Sequence, residues 1–92
     1  MPYTTPKQRN ELEKECETDR LADYLASNDL EVYAGNVNYL NFKIAKRRLG
    51  KKKSYFTFVV VIGTLFLSIL EIARRFLFDY ENKKIKENGD VE

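Results

Sequence analysis

Sixteen consecutive residues, Tyr55 to Leu70 (YFTFVVVIGTLFLSIL), carry no charge. Lys51, Lys52 and Lys53 stand directly before this run, and Glu71, Arg74 and Arg75 follow it. One-third of the whole chain is charged, so the run is set apart from everything around it. From Ser54 to Ile72 the mean hydropathy is roughly 2, above the level that marks membrane-spanning helices. A spanning helix needs about 20 mainly apolar residues, whereas a run of about 10–14 more often forms the core helix of a soluble domain. Extending the run through Ile72 and Ala73 reaches spanning length and takes in Glu71. That carboxylate then falls near the far interface, where it reaches water or pairs with Arg74 or Arg75 one turn on. Phe76, Leu77 and Phe78 fall at the headgroup level, with the two arginines snorkelling. A soluble alternative would have to cover every face of the helix. The rest of a 92-residue chain is too small and too charged a shell to do so.

The sequence therefore predicts an all-α protein. A single transmembrane helix is preceded by one or two short amphipathic cytosolic helices, with no independent globular core. Four segments follow from the charge pattern: an acidic helical arm (1–35), a basic juxtamembrane amphipathic helix (36–53), the transmembrane helix (54–73) and a short polar C-terminal tail (74–92).

Charge is segregated along these segments. Residues 1–35 carry four Lys/Arg against eight Asp/Glu, and residues 54–92 carry five against six. Residues 36–53 hold Lys43, Lys46, Arg47, Arg48, Lys51, Lys52 and Lys53 and no acid. The net charge of +2 conceals this arrangement, and the local fields carry the information. Basic residues near the ends of a span set its orientation. The seven before the run outweigh the five after it, so the N-terminal half is expected in the cytosol, with Arg74 and Arg75 as the opposing signal. The same block suits anionic lipid, at about 1 kcal/mol per basic residue near the surface. Its place beside the membrane argues against nucleic acid as the partner.

Composition excludes several chemistries. The chain has no His and a single Cys, so neither a structural zinc site nor a Ser-His or Cys-His nucleophile can be assembled. No cofactor is expected, and no catalytic residue stands out. One cysteine makes no internal disulfide, Asn-x-Ser/Thr acceptors are lacking, and residues 1–30 have no apolar signal-peptide core. The short stretch after the span matches the topology of tail-anchored proteins inserted after synthesis. The hydrophobic span favours the endoplasmic reticulum over the mitochondrial outer membrane or peroxisome, whose anchors carry basic flanks like Arg74-Arg75.

The arm opens with Thr5 as N-cap, Pro6 at the first helical position and Gln8 placed for a capping box. Leu12, Cys16, Leu21 and Leu25 form a narrow apolar stripe over residues 7–27, a candidate face for a partner helix with Cys16 half-buried in it. Breaks are expected at Ser27-Asn28-Asp29 and at Tyr33-Ala34-Gly35-Asn36. A second helix runs from about Val37 towards Leu49, either ending at a flexible joint at Gly50 or continuing into the span. Val37, Leu40 and Ile44 share one of its faces, and Tyr39, Phe42 and Leu49 widen it. The helix is aromatic on one side and basic on the other, a pattern suited to a membrane interface.

Within the span, Thr57, Thr64, Ser68 and Glu71 recur at intervals of seven, four and three, which aligns them on one helical face, with Gly63 beside them. Small and hydroxylated residues let helices approach closely and bond across the contact. The expected role is a packing face against an integral membrane partner. A hetero-complex is favoured over a homodimer because no strict Gly-x-x-x-Gly is present. The competing account has the hydroxyls bonded to their own helix and Glu71 to Arg75. Two function classes follow. One is a non-catalytic accessory or regulatory subunit of an integral membrane complex. The other is a tail-anchored adaptor whose acidic helix recruits a soluble partner.

Overall fold

The computed structural model describes residues 4–89; residues 1–3 and 90–92, the outer ends of the acidic arm and the polar tail, lie outside the described residues. Every regular element among them is helical. The chain divides into two units, Met1–Lys53 and Ser54–Glu92.

The first unit holds three helices. Helix α1 (Pro6–Glu15) starts where expected. The Thr5 hydroxyl accepts from the Gln8 amide at 3.2 Å and the Gln8 side chain accepts from the Thr5 amide at 3.0 Å, a reciprocal capping box. The helix then stops earlier than the apolar stripe implied. Cys16 is extended (φ −134, ψ 147), and α2 (Thr18–Ala26) begins afresh. A continuous helix would have stacked Glu13 on Glu17 and Glu15 on Asp19, like charges one turn apart that destabilise it. Cys and Thr at the junction are also weak helix formers. With the chain broken there, the Thr18 hydroxyl donates to the Glu13 carboxylate, and Arg20 pairs with Glu17 at 3.0 Å.

The expected break at Ser27-Asn28-Asp29 is present. Asp29, in extended conformation, accepts from the Val32 amide at 3.0 Å and caps α3 (Leu30–Lys51). The second expected break, at residues 33–36, is absent: α3 runs unbroken through Gly35 and on through Gly50. Once a helix has nucleated, each further residue is added with its own hydrogen bond, and one interior glycine costs only about 1 kcal/mol. Asn36 helps by donating to Asn28 at 3.0 Å across the α2–α3 turn. These two helices pack against each other locally, leaving Leu25, Val37 and Leu40 half-buried.

The second unit is a single rod. Ser54 is extended, and its hydroxyl accepts from the Thr57 amide at 3.1 Å, capping α4 (Tyr55–Ile72). Extended backbone at Lys52 and Ser54 separates α3 from α4, so the basic helix does not continue into the span. After Ile72 the helix widens into one π-helical turn (Ala73–Leu77), where the Phe78 amide donates to the Ala73 carbonyl, and continues as α5 (Phe78–Asn88). The tail is thus helical up to Asn88, and Tyr55–Asn88 form one 34-residue helix. Its most apolar 18 residues have a mean hydropathy of 2.3, and none of that stretch is buried within the protein. It is long and apolar enough to cross a membrane. The 18 residues of α4 rise about 27 Å, close to the ~30 Å hydrocarbon thickness.

No described residue anywhere is buried. Among the described residues the expectation of an all-α chain without a globular core holds, but three helices, not one or two short ones, precede the apolar helix. Phe58, Leu65 and Leu67 in α4 are among the best covered of the large apolar side chains, yet each remains at least 40% exposed.

Candidate functional site

The polar stripe of α4 is built by the helix register. At about 100° per residue, Thr57, Thr64, Ser68 and Glu71 fall within an arc of about 60°, while Gly63 lies about 100° to one side of Thr64. Each member already has a partner within its own helix. The Thr57 and Ser54 hydroxyls are 2.9 Å apart. Thr64 donates to the Val60 carbonyl at 2.7 Å, and Ser68 donates to the Thr64 carbonyl at 3.1 Å. These are the back-bonds that Ser and Thr form within helices. A hydroxyl that donates in this way keeps its acceptor lone pairs, so the stripe is a row of acceptor oxygens with its donor hydrogens turned inward at Thr64 and Ser68.

Glu71 closes the stripe. Its Oε1 receives hydrogen bonds from Arg74, three residues on, and from Arg75, four residues on. The carboxylate is about one-quarter exposed, whereas both arginines are more than half exposed. Both arginines belong to the π-helical turn that follows Glu71. One carboxylate therefore sits between two cations at the end of α4, about 25 Å along the helix from its first turn.

Gly63 supports no contact in the chain. A methyl group built there meets nothing within 4 Å. An interior glycine weakens a helix by about 1 kcal/mol relative to alanine, and no packing within the chain accounts for it.

The apolar stripe of the arm is divided. Leu12 lies on α1 and Leu21 and Leu25 on α2, while Cys16 is the extended C-cap between them. Leu12 and Leu21 are 48% and 46% exposed, and Cys16 is exposed rather than half-buried. The four residues do not form one continuous face, because the stripe depended on a single helix over 7–27.

The basic block is also arranged differently from the sequence pattern. Lys43, Lys46, Arg47, Arg48 and Lys51 lie on α3, while Lys52 and Lys53 occupy the extended connection before Ser54. Aromatic and basic residues do not take opposite sides. Tyr39, Phe42, Lys43, Lys46, Arg47 and Gly50 line one open groove of about 380 Å³. The Lys43 ammonium sits over the Tyr39 ring, 5.6 Å from its centre. Their spacing of i, i+3, i+4, i+7, i+8 and i+11 was readable in the sequence as one helical face. It was obscured by anchoring the face on Val37, Leu40 and Ile44, of which Ile44 is 66% exposed. Among the described residues, no group of three or more His, Cys, Asp or Glu is placed to hold a metal ion.

Comparison with known proteins finds no significant match among curated proteins or solved structures. One family does match, over residues 1–91, and covers nearly the whole chain, from the acidic arm through the apolar helix to the polar tail. The protein belongs to that family, described as a domain of unknown function (DUF6899).

Proposed function

We propose that this protein is a non-catalytic, single-pass accessory or regulatory subunit of an integral membrane complex, held there by the polar face of α4. The observation that carries the reading is that no side chain is buried among the described residues of a chain that contains a membrane-length apolar helix. Such a chain gains its order from contacts outside itself, and lipid satisfies only the apolar part of α4. The acceptor oxygens of Thr57, Thr64 and Ser68, the Glu71 carboxylate and the open backbone at Gly63 are the surfaces that lipid serves poorly. Interhelical contacts of this type are worth about 0.6 kcal/mol each and at most about 1.7. Because the hydroxyl donors are already engaged, the complementary helix presents donors of its own to this face.

The adaptor alternative requires the acidic arm to offer a docking face, and the division of that arm at Cys16 leaves only Leu12 of the four stripe residues on α1. The basic block favours a cytosolic N-terminal half, and the hydrophobic span favours the endoplasmic reticulum over the mitochondrial outer membrane or peroxisome.

The test is purification of tagged full-length protein from its native membranes in mild detergent, with quantification of co-purifying chains. Thr57→Leu, Thr64→Leu, Ser68→Leu and Glu71→Leu combined remove four contacts. At ~0.6 kcal/mol each that is a roughly fiftyfold weaker association. Retention of a stoichiometric multi-span partner by the quadruple variant refutes this reading. A soluble partner that survives it but requires residues 7–33 establishes the adaptor instead.

A further inference from the structure

The exposed groove on α3 lies outside the packing face of α4 and has chemistry of its own. Tyr39 and Phe42 are 62% and 68% exposed. Lys43, Lys46 and Arg47 lie on the same face, at the spacing of one amphipathic stripe. No acid occurs anywhere from Asn36 to Lys53, so nothing nearby neutralises them. Exposed rings beside uncompensated cations match the headgroup layer of a bilayer, which is apolar on its inner side and anionic on its outer side.

Chain length restricts where this face can be. From Lys51, the last residue of α3, to Tyr55, the first of α4, there are four steps of chain, at most ~14 Å fully extended. If α4 spans the membrane, this short connection keeps the C-terminal end of α3 close to the adjacent leaflet, within one or two Debye lengths of ~8–10 Å. The neighbouring Lys52 and Lys53 in the connection add to the same attraction.

We infer that the Tyr39–Phe42–Lys43–Lys46–Arg47 face of α3 docks on the headgroups of an anionic membrane leaflet, its rings entering the interface and its cations binding lipid phosphate or carboxylate. This inference rests on α4 spanning the bilayer. It makes α3 a lipid-responsive element: docked on an anionic leaflet and released on a neutral one. Each basic residue near an anionic surface favours docking by roughly fivefold, so the three on this face together shift the ratio of docked to free by roughly a hundredfold.

The chain contains no tryptophan, so a single introduced indole reports its own surroundings. Full-length Phe42→Trp and, separately, Phe66→Trp are reconstituted in nanodiscs of phosphatidylcholine alone or with added phosphatidylserine. Emission maximum and quenching by brominated acyl chains are then read. The expected result is Phe66→Trp quenched in both lipids, and Phe42→Trp blue-shifted and quenched only in the anionic bilayer. That signal is lost when Lys43→Gln, Lys46→Gln and Arg47→Gln are combined, while Phe66→Trp in the same background stays quenched. Phe42→Trp exposed to water in both lipids, with Phe66→Trp quenched, overturns the docking inference alone. Equal burial of Phe42→Trp in neutral and anionic lipid overturns the charge recognition. An unquenched Phe66→Trp overturns the spanning helix on which both readings depend.

Discussion

The two units of this chain solve the same problem by opposite means. Neither has a core, yet both are helical. In residues 4–53, three helices of 10, 9 and 22 residues follow one another, and two of them begin at an identifiable side-chain cap. Thr5 and Gln8 close a capping box on α1, and Asp29 caps α3. In residues 54–89, one 34-residue helix starts at the Ser54 cap and continues through a π-helical turn. The difference lies in the solvent that each unit is composed for. In water an isolated helix is marginal, and its termini decide its limits. In hydrocarbon every unsatisfied backbone group costs several kcal/mol, so the helix holds along its length. Side-chain caps mark α1 and α3 in the first unit, whereas the second carries a helix long and apolar enough to cross a membrane.

The largest expected effect is therefore a charge at the centre of α4. Leu65→Arg is expected to cost about 3–4 kcal/mol of insertion free energy. Ile44→Arg, on the 66%-exposed face of α3, is expected to change little. Alkaline carbonate extraction distinguishes the two. Equal loss of membrane retention in both variants would remove the contrast between the units.

Next in size is the loss of a cap. Asp29→Ala leaves the Val32 amide without its 3.0 Å acceptor and is expected to destabilise the start of α3 by about 1 kcal/mol. Amide exchange at Val32 and its neighbours should quicken roughly fivefold, from that same ~1 kcal/mol. Ser54→Ala removes the equivalent bond to Thr57, yet exchange further along α4 is expected to remain as slow as before in lipid. Comparable quickening in both helices would show that α4 also depends on its cap.

Glycine substitutions have smaller effects of the opposite sign. A methyl group at Gly35 meets nothing within 4 Å. Gly35→Ala is expected to stabilise α3 by about 0.5–1 kcal/mol, seen as a higher midpoint of thermal loss of helical circular dichroism. Gly63→Ala is equally unobstructed within the chain, so any loss of complex formation it causes reports a partner helix pressed against that position. The smallest effect belongs to exposed ion pairs. Lys83→Ala breaks a 3.3 Å pair with Asp79 on α5 and is expected to cost no more than about 0.5 kcal/mol of helix stability.

Legibility in the sequence follows the same division. The apolar helix is legible in the sequence, because sixteen uncharged positions stand out in a highly charged chain, whereas its continuation to Asn88 is not. The capping box at Thr5 and the break at Asp29 were equally readable, since both depend on residues within three or four positions of one another. The alignment of Thr57, Thr64, Ser68 and Glu71 needed only helical geometry. The acidic arm was misread at Cys16, where two near-repulsions of like charge outweigh a weak apolar period. The helix through residues 33–36 was misread in the other direction, because Gly35 and Asn36 signal a turn in isolation.

The sequence alone determined the helical class, the position of the apolar helix and the candidate polar face, because hydropathy and periodicity are properties of neighbouring residues. Only the tertiary structure decided that Asn28 and Asn36 meet across the α2–α3 turn. It also showed that Glu71 is held by both arginines, which stand in a π-helical turn. Each of these is a competition between bonds of similar strength, and such a competition is settled by where the side chains stand in space. Residue types by themselves leave it open.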